Sequence, residues 1–148
     1  MSLEAREITV VMADDDADDR MLALDAWEES RPGSELEFVE DGEQLLDYLR
    51  RRGKYTGLGG APLPNIILLD LNMPRKDGRE ALREIKSDPL LRRIPVIVLT
   101  TSRAEEDVAR SYDLGVNSFI VKPARFESLV EVMRCLAEYW FGVVELPK

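Results

Sequence analysis

No histidine occurs anywhere in the 148 residues. A Ser-His-Asp or Cys-His catalyst, a His-ligated zinc site and a phosphohistidine are therefore excluded on this chain. Cysteine is nearly absent as well. Cys135 stands alone, so neither an internal disulfide nor a multi-cysteine metal site is available, which fits a reducing cytosol. No apolar run approaches the ~20 residues of a membrane span, and the N-terminus lacks a signal-peptide pattern. A cytoplasmic protein with no membrane partner is expected. Basic excess is missing too: 20 Lys and Arg face 29 Asp and Glu, a net charge of -9. Nothing is left over to neutralise a phosphate backbone, so nucleic acid is not an expected partner. What is present is a chain of one-domain length, 45% hydrophobic, able to bury a core. Its chemistry must come from carboxylates, hydroxyls and amines.

Short apolar runs alternate with longer amphipathic segments. Ile8 to Met12, Leu36 to Val39, Ile66 to Leu69, Pro95 to Leu99 and Ser118 to Val121 read as strands. Between and after them, helices are predicted from Ala17 to Glu29, Gly42 to Arg52, Gly78 to Ser87, from about Ser102 to Gly115, and from Arg125 to about Tyr139. Asp88-Pro89 stops the third helix, and Gly115 suits a left-handed cap on the fourth. Ser102-Arg103-Ala104-Glu105 has the spacing of a capping box. The Gly/Pro-rich stretch Gly53 to Pro64 reads as flexible. Strict alternation of strand and helix implies an α/β fold with a parallel sheet covered on both faces. Ligands of such sheets sit outside the carboxyl ends of the strands.

The residues at those ends form a chemical set. Asp14, Asp15 and Asp16 follow the first strand, Asp70, Leu71 and Asn72 the third, Thr100 to Ser102 the fourth, and Lys122-Pro123 the fifth. Asp14, Asp15 and Asp70, brought into one crevice, would repel one another without a cation. Hard oxygen donors with room for water suit Mg2+. Lys122 adds a positive charge and Thr100 a hydroxyl, which together describe a site for a phosphoryl group on a carboxylate. Asp70 is the best nucleophile, because it ends the most apolar strand. Blander roles account for several neighbours. Asp16 is placed as a helix N-cap, and Asp18 and Asp19 decorate the first helical turn, where the dipole favours anions. Asn72 also suits a turn before Pro74.

Those segments, VVMADDDADD, IILLDLNMPRKDG, IPVIVLTTS and GVNSFIVKP, resemble the receiver domain of two-component response regulators over residues 7 to 140. The resemblance implies a flavodoxin-like, doubly wound (βα)5 sheet of strand order 2-1-3-4-5. It further implies that Asp70 is the phosphoacceptor, that Asp14 and Asp15 hold Mg2+, and that Asn72 lends the metal a backbone carbonyl. Thr100 takes the position of the switch hydroxyl, Lys122 that of the phosphate-binding lysine, and Phe119 that of the aromatic switch. The Lys122-Pro123 bond is expected to be cis. The Gly-rich loop, the TTS and the ending YWFGVVELP look like the single-domain regulators paired with bacterial phytochromes.

On this reading the missing histidine belongs to a separate sensor histidine kinase, which supplies the phosphoryl group. The chain is a signalling switch that catalyses only its own phosphorylation and dephosphorylation. Phosphorylation draws Thr100 towards the phosphoryl oxygens, Phe119 fills the vacated space, and the face of fourth helix, fifth strand and fifth helix changes. Asn72 and Ser102, two residues past Asp70 and Thr100, flank the path of hydrolytic water. Residues 141–148 are too short for an output domain, so output is expected through protein contact, phosphotransfer or dimerisation. That apolar tail, with Phe141, Val143, Val144 and Leu146, either folds back on its own domain or packs on a second copy. A homodimer through the switching face and the tail is the expected assembly. The run Arg50 to Lys54 reads as a solvated helix end, and Cys135 as half-buried. A Mg2+-dependent aspartyl-phosphate phosphatase is the alternative, but such enzymes want an acid where Asn72 stands. A flavin binder is disfavoured by five acids in the six positions Asp14 to Asp19.

Overall fold

Apolar runs of four or five residues are too short for buried helices, and here they line up as strands. The computed structural model describes residues 8–30 and 35–147. In chain order the elements are β1 (Thr9–Ala13), α1 (Ala17–Ser30), β2 (Glu35–Val39), α2 (Gly42–Arg50), β3 (Ile66–Leu69), α3 (Gly78–Ser87), β4 (Val96–Thr100), α4 (Glu105–Leu114), β5 (Ser118–Val121) and α5 (Phe126–Gly142). Short 3-10 turns at Gly53–Leu58 and Leu91–Arg93 precede β3 and β4. All strand pairs are parallel and the sheet order is β2-β1-β3-β4-β5, the doubly wound order expected from the sequence.

Alternation of side chains along each strand builds two apolar layers. Val10, Met12, Leu68 and Leu99 point to the side covered by α1 and α5, where they meet Ala26, Trp27, Met133 and Trp140. Val11, Ala13, Ile67, Leu69 and Val98 point the other way, onto Leu45, Leu46, Ala81, Leu82 and Ile85 of α2 and α3. Each such side chain contributes roughly 1.5–3 kcal/mol on burial. α4 is the least embedded helix, with Ser111 its one buried residue.

Two glycines fix the geometry around the strand ends. A Cβ on Gly78 would lie 2.2 Å from the Asp70 carbonyl oxygen and 2.7 Å from the Leu71 Cα, so the start of α3 rests directly on the backbone of Asp70. Gly115 ends α4 with φ 106°, the left-handed cap read from the sequence.

Several local expectations are corrected. The capping box at Ser102 does not form. The Ser102 hydroxyl donates to the Asp107 carboxylate, a charge-assisted bond, and α4 begins after Ala104 with no side-chain cap. No cis peptide bond occurs among the described residues; Lys122-Pro123 is trans, the form favoured by ~0.5–1 kcal/mol at such bonds. Gly53 to Pro64 is anchored, because Arg51 donates to the Ala61 and Pro62 carbonyls and Tyr55 packs edge-on against Tyr48. The run Arg50 to Lys54 is engaged by its own domain: Arg50 pairs with Glu84 and Asp88, and Arg52 with Asp47. Cys135 is exposed, being on the outer side of α5. α5 runs on to Gly142, since Phe141 meets Trp27 edge-on at 5.6 Å and Trp140 is buried. Beyond it Val144 and Leu146 also pack on the α1–α5 layer, so much of the tail's apolar surface is spent within the domain. Val143 stays 72% exposed.

Candidate functional site

Parallel pairing brings the carboxyl ends of four strands to one edge, and the ladder continues into the residues that follow them. Asp14 N–H donates to the Val39 carbonyl, Asp70 N–H to Ala13, and Lys122 N–H to Thr100 at 2.7 Å. These backbone bonds fix where the side chains start. Asp14 and Thr100 are wholly buried, Asp70 nearly so, and Asp15 is exposed.

The two oxygens of Asp70 face different partners. Oδ1 accepts from the Thr100 hydroxyl at 2.7 Å and from the Asn72 N–H at 3.1 Å. Oδ2 accepts from Lys122 Nζ at 3.0 Å. Lys122 Nζ also donates to Asp14 Oδ2 at 2.5 Å and to Asp19 Oδ2 at 3.0 Å. Asp14 is held further through its own Oδ1, which accepts from Asp16 N–H, and its carbonyl, which accepts from Arg20.

Burial alone would push the Asp14 carboxyl upward. The Lys122 hydrogen bond, the Asp16 N–H and the Lys122 charge pull it down, Asp70 repels it, and the net direction is up. For Lys122 burial works against the ammonium, but the Asp14 hydrogen bond and charge, with Asp70 and Asp19, more than offset it. Its proton is held well above the ordinary lysine range.

One carboxylate oxygen from each of Asp14, Asp15 and Asp70 lies within 4.8 Å of the others. An all-oxygen set with one exposed member and room for water fits a hard divalent cation. The three acids singled out from sequence are therefore brought together, with Thr100 and Lys122 beside them. Phe119 is elsewhere. It is half-buried, packs against the α2–α3 layer, and its N–H donates to the Tyr112 hydroxyl at 3.2 Å.

Asp16 caps α1 as expected, accepting from the Asp18 and Asp19 N–H groups. Asp19 does more than decorate the first turn, since it is the third anion on Lys122. The available signal was its place on a helix that starts at a strand end of the same crevice. Two other features escaped the sequence. Arg79 and Asp107 form a two-pronged pair between α3 and α4. Arg75, left-handed at φ 63°, pairs with buried Asp41 and ties the loop after β3 to α2. Neither partner is close in sequence, and no local pattern announces such pairs.

Comparison with known proteins gives concordant results. The family profile described as response regulator receiver domain matches residues 10–134. Response regulator Rcp1 of a Synechocystis sp. strain is 40% identical over 138 residues, 93% of this chain and 92% of its own. The crystal structure of the phosphorylated cyanobacterial phytochrome response regulator RcpA superposes with a TM-score of 0.89 at 42% identity, covering 97% of this chain and 100% of that one. The Mn2+-bound form of Rcp1 superposes with a TM-score of 0.85 at 39% identity, covering 95% and 99%.

Proposed function

This chain belongs to the response regulator receiver domain family of two-component signalling, and from that premise we propose that it is a phospho-accepting switch loaded on Asp70. The observation that carries the reading is the division of the Asp70 carboxylate between Thr100 on one oxygen and Lys122 on the other, with Asp14 and Asp15 alongside. The donor is a phosphohistidine on a sensor histidine kinase. An Asp70 oxygen bonds to phosphorus as the phosphorus–nitrogen bond breaks, and the electron pair stays on the donor imidazole. Lys122 neutralises charge on the moving group, and Thr100 offers it a hydrogen bond. Asp14, Asp15 and Asp70, with the backbone carbonyl of Asn72, hold Mg2+, which supplies further neutralisation when bound. The Mn2+ of the Rcp1 structure supports a divalent ion at this kind of site.

Once Asp70 is loaded, the Thr100 hydroxyl exchanges its bond to Oδ1 for one to a phosphoryl oxygen. The loop after β4 follows it, Phe119 repacks, and the population shifts between two pre-existing states. The output surface is the face of α4, β5 and α5, where Tyr112 and Tyr139 are half exposed and β5 ends the sheet. A second copy of the chain docks there, with the tail at its margin. The likeness to RcpA supports a phytochrome as the donor kinase. An aspartyl-phosphate phosphatase is not favoured, because Asn72 offers no acid two residues past Asp70.

Incubation with Mg2+ and acetyl phosphate is expected to load one phosphoryl group per chain, read by intact-mass spectrometry. No uptake refutes the reading. Light scattering before and after loading is expected to show a larger dimer fraction in the loaded protein; a monomer under both conditions refutes the docking.

A further inference from the structure

An ammonium has three N–H donors, and three carboxylates accept from Lys122 Nζ: Asp14 Oδ2 at 2.5 Å, Asp70 Oδ2 at 3.0 Å and Asp19 Oδ2 at 3.0 Å. The three acceptors differ in what else they can hold. Asp14 and Asp70 belong, with Asp15, to the cluster whose oxygens suit a divalent cation, and Asp19 does not. Asp19 stands on the first turn of α1. Its N–H donates to the Asp16 side chain, and Arg20 beside it donates to the Asp14 carbonyl, so its backbone is pinned to the end of β1. A recess of about 50 Å3 adjoins the Asp19–Lys122 pair, and the rest of its lining, Leu22, Leu99 and Leu129 included, is apolar. On that side Asp19 is the one charged partner that the recess offers the ammonium. The Lys122 side chain is only 11% exposed, so water is a poor substitute.

We propose that Asp19 is the positioning residue of Lys122, anchoring its ammonium when Asp14 and Asp70 engage a divalent cation and the phosphoryl group. This rests on the phospho-accepting reading of Asp70. Asp14 and Asp70 now neutralise Lys122; a cation held by the same two carboxylates competes for their charge and repels the ammonium. With Asp19 in place the ammonium keeps an anion of its own throughout. Without it, filling the acidic cluster leaves a nearly buried ammonium poorly paired, which opposes the filling. The anchor also limits how far the ammonium moves, so that the N–H released by Asp70 stays within reach of the phosphoryl oxygens. Asp19 acts on the chemistry through Lys122.

The test compares Asp19→Asn with Asp18→Asn in the full chain. Asp18 stands in the same helical turn with the same charge, and Asp14, Asp19 and Asp70 are the acids that pair with Lys122 among the described residues. Mn2+ affinity is read by electron paramagnetic resonance of the free ion, with no phosphodonor present. Asp19→Asn is expected to bind Mn2+ about fivefold more weakly than the unaltered chain. Asp18→Asn, and Asp19→Glu with its anion kept, are expected to stay within about twofold of the unaltered chain. Loading from acetyl phosphate at saturating Mg2+, followed by intact mass, is expected to be about tenfold slower in Asp19→Asn and nearly unaltered in Asp18→Asn. Unaltered Mn2+ affinity in Asp19→Asn overturns the proposal. So does an equal loss in Asp18→Asn, which would make Asp19 one more acid in a shared field. Either result in a chain that still loads overturns this proposal alone. Failure of the unaltered chain to load overturns the phospho-accepting reading, whatever the Mn2+ affinities.

Discussion

Asp70→Asn is expected to take up no phosphoryl group, a loss on the order of a thousandfold or more in loading rate. The amide matches the carboxylate in shape but lacks the negative oxygen that attacks phosphorus. Lys122 would still have Asp14 and Asp19 as partners, and the Thr100 hydroxyl would still find an acceptor in the amide oxygen. Folding stability should therefore change by no more than about 1–2 kcal/mol. Intact-mass spectrometry reads the loading and thermal melting the folding. Loading at the unaltered rate would remove Asp70 from the chemistry. This variant separates nucleophile from scaffold because Asp70 is built into the sheet ladder through its N–H rather than through its side chain.

Lys122→Met is expected to produce the largest loss of stability. Three carboxylates share this one ammonium, and Asp14 is wholly buried. Removing one partner of a buried ionic cluster costs about 3–5 kcal/mol, which lowers the melting temperature by on the order of 10 °C in a chain of this size. The loss depends on pH. Burial already holds the Asp14 carboxyl above its ordinary value, and the Lys122 hydrogen bond and charge oppose that rise. Without them it goes higher. A carboxyl raised by folding stabilises the fold while it is protonated, so its contribution is present below the unfolded value of about 4 and is lost as pH rises through the folded one. The gap in melting temperature between the unaltered chain and Lys122→Met should therefore widen from pH 4 to pH 7. Millimolar Mg2+ should narrow it by supplying the missing positive charge. A gap independent of both pH and Mg2+ would contradict the charge-sharing account.

These effects centre on residues whose positions were readable in the chain, and the reasons are physical. A run such as Ile66–Leu69 is apolar at every position because its strand is covered on both faces, so its end, and the acid after it, could be placed without a structure. The same logic located Asp14, Thr100 and Lys122. Strand order came from resemblance, since periodicity carries no information on which strands are neighbours. Phe119 shows the limit: its half-buried place in β5 is visible, while its movement is not a property of one set of positions. Asp19 reads from sequence as a partner of the helix dipole because it stands beside Asp18 in the first turn of α1; only the approach of the end of β5, 103 residues later, gives it Lys122. Arg79 and Asp107 likewise meet through tertiary packing of two helices, 28 residues apart. Ser102 shows a local spacing that the packing uses differently: its hydroxyl donates to Asp107, five residues on, and accepts only at 3.4 Å from the Ala104 N–H instead of capping α4.

The tail is legible in part. Its apolar composition required a covering, and Trp140, Phe141, Val144 and Leu146 find it on α1 and the neighbouring sheet face. That cover leaves Tyr139 and Val143 facing outward next to the proposed docking face. The dimer contact, on this account, is made by what folding leaves uncovered.

On the phospho-accepting reading, the strand-end crevice loads a phosphoryl group onto Asp70 and onto no neighbouring residue. The most direct test is to load the full chain with acetyl phosphate and Mg2+, trap the acyl phosphate by borohydride reduction, and locate the reduced residue by peptide mass spectrometry. Reduction at position 70 alone is expected. Reduction at Asp14 or Asp15, or a phosphoryl group found on Thr100, would contradict it.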